Sequence, residues 1–211
     1  MTTNVEIIRS EPLSHGFLRL NRYRLGLAVP GSEARVVVDR ECIDGLRAAV
    51  VLPFDPVSGQ VVLVEQFRVG TRHSTTGGLT WEPPGGMIAA GHSAAETARR
   101  EALEETGCRI GVMTRIAVCH TSPGFSDECV DIYCGKLLDT DLPATAGNPH
   151  EGEYTRVVLR GLDRVIHDLG HGRLTAATLI IAIQWLALNR HRIRELWAAD
   201  QSGPAAADLA Q

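Results

Sequence analysis

The first 46 residues alternate apolar and polar side chains in short runs. The alternation is clear at 17–23 and at 34–39, and Pro30 with Gly31 separates these two runs. A period of two places successive side chains on opposite faces of a strand. The pattern therefore predicts a small antiparallel β unit over residues 1–46.

From Ala48 onward the pattern is that of a larger domain of mixed strands and helices. Two apolar runs, 48–52 and 61–67, flank turn-forming residues and predict a β hairpin. The remaining predicted elements are a loop at 70–80, strands at 114–121, 128–135 and 154–159, a long polar loop at 137–153, helices at 162–169 and 175–198, and a frayed tail at 199–211.

One predicted helix has recognisable signals at both ends. Ser93 and Glu96 form a capping-box signature, in which each side chain accepts a hydrogen bond from the other residue's backbone N–H. Gly107 lies where a C-terminal cap is expected, because glycine adopts the left-handed conformation without steric cost. The spacing predicts a helix over 94–106.

Composition and charge restrict the class of partner. The chain of 211 residues has 21 Lys and Arg against 25 Asp and Glu, a formal net charge of −4. A nucleic-acid-binding protein needs an excess of basic residues, so a small-molecule partner is predicted instead. The longest apolar stretch, 174–188, is shorter than the roughly 20 residues that cross a bilayer, so no membrane contact is predicted.

The cysteines and the N-terminus indicate the compartment. The five cysteines are odd in number, widely spread and contain no C-x-x-C pair, so neither a metal ribbon nor a redox motif is indicated. Residues 1–9 lack the basic region and apolar run of an export signal. We therefore expect a reducing, cytoplasmic location.

The predicted helix carries a dense group of carboxylates. Glu101, Glu104 and Glu105 are spaced i, i+3 and i+4, so they crowd one side of the helix and repel one another. Two interpretations follow: a solvated helix face with Arg100 as a counter-charge, or a site for a divalent cation such as Mg²⁺, which prefers hard oxygen ligands. The preceding stretch 81–91, rich in proline and glycine, favours the metal site because a rigid loop there exposes backbone carbonyls.

The stretch 86–108 resembles the signature of the Nudix hydrolases, which runs Gly, five residues, Glu, seven residues, then Arg-Glu-apolar-x-Glu-Glu-x-Gly-apolar. The chain departs from it where His92 replaces the first Glu. Histidine has no carboxylate oxygen, so either metal binding and turnover are altered, or His92 merely lies in the first turn of the helix. The intact Arg-Glu-x-x-Glu-Glu core favours the second interpretation. The residues in register are Gly86, Arg100, Glu101, Ala102, Glu104, Glu105, Gly107 and Cys108.

Motifs elsewhere in the chain resemble those of bacterial ADP-ribose pyrophosphatases within that superfamily. The resemblance implies the Nudix fold, an α+β or α-β-α sandwich with a mixed β-sheet, preceded by the small antiparallel β unit. It divides the chain into a dimerising unit at 1–46, a catalytic domain at 47–198 and a tail at 199–211. The motifs are Val5-Glu-Ile-Ile8, Gly16-Phe17, Arg40-Glu41, Leu52-Pro-Phe-Asp-Pro56, Val64-Glu-Gln-Phe-Arg68, Ser122-Pro-Gly124 with Glu128, and Ile181-Ala-Ile-Gln-Trp-Leu186.

The same resemblance implies an activity and a set of site residues. The activity is hydrolysis of the pyrophosphate of ADP-ribose to AMP and ribose 5-phosphate by a homodimer that uses Mg²⁺, with Mn²⁺ as a substitute. The N-terminal unit contributes residues to the partner's site. The metal ligand at Gly85 is its carbonyl, and Glu104 is either a further ligand or a group behind the ligands. The catalytic residues are Glu151, Glu153 and Arg100, the metal ligands are Gly85, Glu101, Glu104 and Glu105, and the substrate-binding residues are Phe17, Arg40, Glu41, Arg68, Met87, Ser122 and Glu128.

Alternatives remain for individual residues and for the substrate. Glu151 and Glu153, either of which can act as the base, are also consistent with solvated loop acids, Arg40 and Arg68 with surface charges, and Phe17 with a core position. The signature determines the chemistry and leaves the base and sugar open, so GDP-mannose and ADP-glucose are alternative substrates. The histidine in the signature leaves a third possibility, a nucleotide-sugar-binding protein with weak or no turnover.

Overall fold

A computed structural model of the chain describes residues 5–14, 16–139, 141–147 and 154–199. The chain divides into two compact units. The first comprises the described residues up to Arg47 together with Cys119–Val130. The second comprises Ala48–Val118 and the described residues from Asp131 onward.

The first unit contains a three-stranded sheet. Its strands are β1 (Val5–Pro12), β2 (Arg19–Ala28) and β3 (Arg35–Asp44). They pair antiparallel in the order β1-β2-β3. The small antiparallel unit predicted from the alternating pattern is therefore confirmed.

A mixed eight-stranded sheet forms the centre of the fold. Its main path runs β10-β11-β5-β4-β9-β8, with β6 paired to β5 and β7 paired to β4. The strands are β4 (Arg47–Asp55), β5 (Gln60–Phe67), β6 (Leu79–Glu82), β7 (Gly85–Met87), β8 (Ile110–His120), β9 (Cys129–Leu137), β10 (Thr145–Ala146) and β11 (Thr155–Gly161).

Helices cover both faces of this sheet. They are α1 (Ala94–Thr106), α2 (Leu162–Gly170) and α3 (Ala177–Ala199). Buried alanines of α1 share one hydrophobic cluster with Val51 and Val62. Phe54 lies on the opposite face of β4 from Val51 by strand alternation, and its ring is 6.3 Å from that of Trp197 in α3. None of the described helices is long and apolar enough to cross a lipid bilayer.

The stretch between the predicted hairpin and α1 differs from the expected loop. It contains β6 and β7. Strands β4 and β5 pair with each other at two positions only, Phe54 with Val61 and Asp55 with Gln60. Beyond this point β6 pairs with β5, and β7 pairs with β4. The backbone groups on the two separating edges thereby obtain partners, which buried N–H and C=O groups require.

Candidate active site

Helix α1 begins and ends at the residues that its sequence predicts. The Ser93 side chain accepts a hydrogen bond from Glu96 N (3.2 Å), and the Glu96 carboxylate accepts one from Ser93 N (2.8 Å). Hydrogen bonds from Ser93 hold the pKa of Glu96 below its usual value. At the other end Gly107 has φ 71°, and its N–H donates to Leu103 O (2.9 Å). The helix that carries the carboxylates is thus held at both termini.

The three carboxylates of α1 lie in different surroundings. Glu101 and Glu105, one helical turn apart, retain only 9% and 3% of their accessible surface. Glu104 is exposed and lies outside the buried stripe of the helix. A buried carboxylate is costly unless hydrogen bonds or cations compensate its charge. The structure therefore separates two buried acids from the third, a distinction that spacing alone does not make.

Strand β7 lies directly against the two buried acids. The Glu105 carboxylate accepts a hydrogen bond from Gly85 N at 2.8 Å. A Cβ atom built on Gly86 would lie 2.5 Å from Glu101 Cδ, so any side chain there would overlap the carboxylate. Gly86 thus admits the Glu101 carboxylate because it has no side chain, and the Gly85 N–H binds the Glu105 carboxylate, so the pair Gly85-Gly86 forms a cradle for both acids.

Arg100 forms ion pairs with one buried acid, Glu101, and with the exposed acid, Glu104. Its Nη2 lies 2.6 Å from Glu101 Oε1, and its Nη1 lies 2.7 Å from Glu104 Oε2. Burial alone would lower the pKa of the Arg100 guanidinium, but the charges of the two glutamates outweigh burial and raise it. Arg100 therefore stays cationic and offsets the repulsion that the carboxylate spacing creates.

The donor set at this cradle fits a hard divalent cation. Two carboxylates and a neighbouring glycine backbone are the oxygen-rich surroundings that such ions prefer. Within the described parts of the chain, no three His, Cys, Asp or Glu side chains converge on one point as a metal cluster. This agrees with the outward position of Glu104, whose carboxylate pairs with Arg100.

A second charged pair lies on the sheet face that α1 covers. The carboxylate of Glu82 accepts hydrogen bonds from Arg68 Nε (3.0 Å) and Nη2 (2.7 Å). Glu82 is opposite Val64 in the register of β5 and β6, and cross-strand partners share a face. Met87, the last residue of β7, is 44% exposed.

The other predicted substrate-binding residues belong to the first unit. Phe17 is 94% exposed, which excludes the alternative of a core position. Arg40 is exposed, and Glu41 pairs with Arg22 at 2.9 Å. Ser122 and Glu128 are half-buried at the turn between β8 and β9, where Glu128 accepts a hydrogen bond from Thr121.

The two proposed bases and the histidine of the signature complete the predicted set. Glu151 and Glu153 lie outside the described residues. His92 is exposed and precedes the N-cap Ser93, so it is not in the first turn of α1 as expected from sequence. The interpretation of His92 as a first-turn residue is therefore wrong, because the capping hydrogen bonds begin one residue later.

Two contributors to this region were missed by sequence reasoning. The sequence assigns Glu82 no role, and the one local signal is its position immediately before Pro83-Pro84 in the predicted loop. Thr155 is buried, and its hydroxyl donates to the Glu105 backbone carbonyl at 3.0 Å. Nothing in the local sequence of Thr155 indicates this contact, because its partner lies 50 residues away.

Comparisons with known proteins agree with this architecture. An ADP-ribose pyrophosphatase of Escherichia coli is 33% identical over 195 residues, which cover 92% of this chain and 93% of that protein. A GDP-mannose pyrophosphatase of Yersinia enterocolitica is 27% identical over 190 residues, 90% of this chain and 98% of that protein. The solved structure "Crystal structure of ADP compounds hydrolase" has a TM-score of 0.66 at 20% identity and covers 94% of this chain and 96% of its own, which shows a shared fold.

The family itself follows from a match of residues 45–168 to the NUDIX domain. This segment contains the capped helix, the Gly85-Gly86 cradle and the strands that support them. Since the match spans more than half of the chain, and the Escherichia coli relative is similar over nearly its whole length, the chain belongs to the NUDIX family of hydrolases.

Proposed function

We propose that the chain hydrolyses the pyrophosphate of ADP-ribose to AMP and ribose 5-phosphate. The observation that carries this proposal is the pair of buried carboxylates, Glu101 and Glu105, held against Gly85-Gly86. The choice of ADP-ribose is supported by the Escherichia coli and Haemophilus influenzae relatives, both named ADP-ribose pyrophosphatase, which match over about nine-tenths of this chain.

Nudix hydrolases generally need a divalent metal ion. We assign Mg²⁺, with Mn²⁺ as a substitute, to Glu101, Glu105 and the Gly85 carbonyl, with Glu104 beside them. When bound, such an ion supplies Lewis-acid activation of the phosphoryl oxygens. The chain's own contribution is to hold the two carboxylates in fixed positions. Arg100 pairs with Glu101 and Glu104 and so limits the repulsion between these two acids.

The base in this proposal is Glu151 or Glu153. The described residues on either side of that segment are both anchored at the C-terminal end of α1. Gly147 N donates to Glu104 O (3.2 Å), and the Thr155 hydroxyl donates to Glu105 O. These two contacts place the described residues Gly147 and Thr155 next to the carboxylate helix, which supports the assignment of the base to the residues between them.

We further propose a cytoplasmic homodimer in which the N-terminal unit completes the partner's site. The outer strands of that unit expose apolar side chains, among them Ile7 at 64% and Val36 at 51%. Phe17, also exposed, is suited to stack on a nucleotide base. All five cysteines, which all lie in described residues, are free, which supports a reducing compartment.

The second candidate is hydrolysis of another nucleoside diphosphate sugar. It is favoured by the Yersinia enterocolitica relative, named GDP-mannose pyrophosphatase, which matches 90% of this chain. A panel of ADP-ribose, GDP-mannose and ADP-glucose with Mg²⁺, analysed for released nucleoside monophosphate, separates the candidates. Release of AMP from ADP-ribose at the highest kcat/KM is expected. Binding of ADP-ribose without any release of AMP would instead identify a nucleotide-sugar sensor.

The role of the helix is tested with Glu105→Gln. We expect kcat to fall by at least about 10²-fold with the melting temperature nearly unchanged, because the amide cannot supply the anionic oxygen that a divalent cation prefers. Glu96→Gln is the matched control on the same helix, since glutamine also completes a capping box. Near-normal turnover of Glu105→Gln would remove α1 from the mechanism.

The shared site is tested by mixing two inactive variants. Glu105→Gln and Arg40→Ala are each expected to be inactive as homodimers. If one subunit supplies Arg40 to the other's carboxylates, a mixed dimer has one intact site, and an equimolar mixture recovers about a quarter of the wild-type activity. No recovery in mixed dimers isolated with two tags would refute a shared site.

A further inference from the structure

The ion pair between Arg68 and Glu82 is bidentate, a geometry called a fork below. Arg68 Nε lies 3.0 and 3.1 Å from the two Glu82 oxygens, and Nη2 lies 2.7 Å from Oε2. Such a fork determines the plane of the guanidinium as well as its position. The Glu82 side chain retains only 16% of its accessible surface, so the acceptor is held while the arginine, at 49%, reaches outward.

Glu82 is itself held by the sheet and by a neighbour. It is opposite Val64 in the register of β5 and β6. The amide nitrogen of Gln66 approaches Glu82 Oε2 at 3.4 Å from the adjacent strand. The long Arg68 side chain lies beyond the end of β5 and would otherwise sample many rotamers, each of which lowers the population of a binding orientation.

A rigid link joins this fork to the carboxylate cradle. Three residues after Glu82, the N–H of Gly85 donates to Glu105. The two residues between are Pro83 and Pro84, both buried, and proline has a fixed φ. The Pro84 carbonyl also accepts a hydrogen bond from the central strand β4 at 3.0 Å. The segment 82–85 therefore connects two polar contacts with little freedom between them.

We propose that Glu82 is a positioning residue of the active site, which orients Arg68 toward the substrate and, through the segment 82–85, holds it at a fixed distance from the carboxylates of α1. The proposal rests on the proposed function and on the assignment of Arg68 to substrate binding, for which the guanidinium suits a phosphate group of the substrate. The substrate itself does not contact Glu82. The Glu82 carboxylate acts only through Arg68, so removal of this carboxylate affects substrate binding more than turnover.

The chain offers a matched control on the other face of the same strands. The Glu65 carboxylate accepts from Arg156 Nε at 2.8 Å, with Nη2 at 2.6 Å, a fork of the same kind. Glu65 and Trp81 are the cross-strand partners next to the pair Val64 and Glu82, so their side chains point to the opposite face. Glu65→Gln thus removes an equivalent ion pair away from α1.

The test is the steady-state kinetics of Glu82→Gln and Glu65→Gln with ADP-ribose and Mg²⁺. We expect Glu82→Gln to raise KM about tenfold with kcat within about twofold, since one charge-assisted fork is lost. Glu65→Gln is expected to lower the melting temperature by about as much as Glu82→Gln does, but to leave KM within about twofold of the wild-type value. A KM of Glu82→Gln equal to that of Glu65→Gln would overturn the proposal.

A second pair of variants shows whether Glu82 acts through Arg68. In an Arg68→Met background, Glu82→Gln should change KM by less than about twofold, because the group that it orients is absent. A full tenfold effect in that background would overturn the proposal. If Glu82→Gln fails to fold, Arg68→Lys replaces it, since lysine keeps the charge but cannot form the fork and should raise KM equally.

Failure of the proposed function is separable from failure of this inference. Wild-type protein that releases no AMP from ADP-ribose refutes the proposed substrate. The same variants are then measured with whichever nucleotide sugar of the panel is hydrolysed, or by calorimetric binding of ADP-ribose if none is. In every case the role of Glu82 is decided by the KM or Kd of Glu82→Gln relative to wild type, compared with the same ratio for Glu65→Gln.

Discussion

Gly86→Ala is the substitution that most directly tests the carboxylate cradle. The added Cβ would lie 2.5 Å from Glu101 Cδ and 3.1 Å from Glu101 Oε2. Ordinary contacts begin at 3.4 Å, so the carboxylate must retreat by about 1 Å. Its ion pair with Arg100, at 2.6 Å, would be displaced with it.

The expected cost of this displacement is larger for activity than for stability. A 1 Å misplacement of a catalytic group lowers rates by about 10²-fold, so we expect kcat/KM for ADP-ribose to fall by that factor. Overpacking at a buried site costs about 1–3 kcal/mol of the free energy of unfolding. Both effects follow from a single methyl group because Glu101 is packed against β7.

Kinetics and thermal unfolding of Gly86→Ala are compared with those of Gly170→Ala. Gly170 is the last residue of α2, and a Cβ there meets nothing within 4 Å. Alanine at that site should leave activity unchanged and stability equal or slightly higher. Turnover of Gly86→Ala within twofold of wild type, at any Mg²⁺ concentration, would refute the view that Glu101 must occupy the cradle.

Three further predictions concern stability and the metal. Gly107→Ala should lower the free energy of unfolding by about 2 kcal/mol, because alanine is strained in the left-handed backbone and its Cβ would overlap Pro143. Gly172→Ala has a similar φ but no neighbour within 4 Å, so it should lower the free energy of unfolding by only about 1 kcal/mol. Equal losses for the two variants in urea titrations would contradict the overlap with Pro143. Saturating Mg²⁺, at about 100 times its Kd, should stabilise wild type by about 2.7 kcal/mol and Glu105→Gln by far less, and an equal thermal shift in both would place the ion elsewhere. His92→Glu should leave activity unchanged or raise it at low Mg²⁺, and a large loss of activity would show that this histidine has a role of its own.

The features that the sequence predicted correctly depend on interactions between residues close together in the chain. The caps of α1 and its boundaries at 94–106 are confirmed, because capping depends on residues three or four positions apart. The family, the fold and the class of enzyme are also confirmed. The signature that indicated them occupies one continuous segment, in which spacing along the chain is also spacing along a helix.

The features that sequence left undetermined depend on distant partners. The separation of β4 from β5 after two residue pairs creates β6 and β7, and no pattern within 81–87 indicates that these residues pair with either strand. The fork of Glu82 with Arg68 follows from that pairing. For the same reason the stretch 81–91, predicted as a loop, contains the segment 82–85 that links Arg68 to the carboxylates of α1.

The spacing of three glutamates predicted that their carboxylates crowd one helix, because helical periodicity converts sequence intervals into neighbours, and it left a solvated face and a cation site as alternatives. It was not sufficient to distinguish Glu101 and Glu105, which are buried, from Glu104, which is exposed. That difference arises from which side of α1 packs on the sheet, and from Gly86 on β7, which leaves room for the Glu101 carboxylate. Burial and cross-strand contact join residues far apart in the chain, so only the folded arrangement decides them.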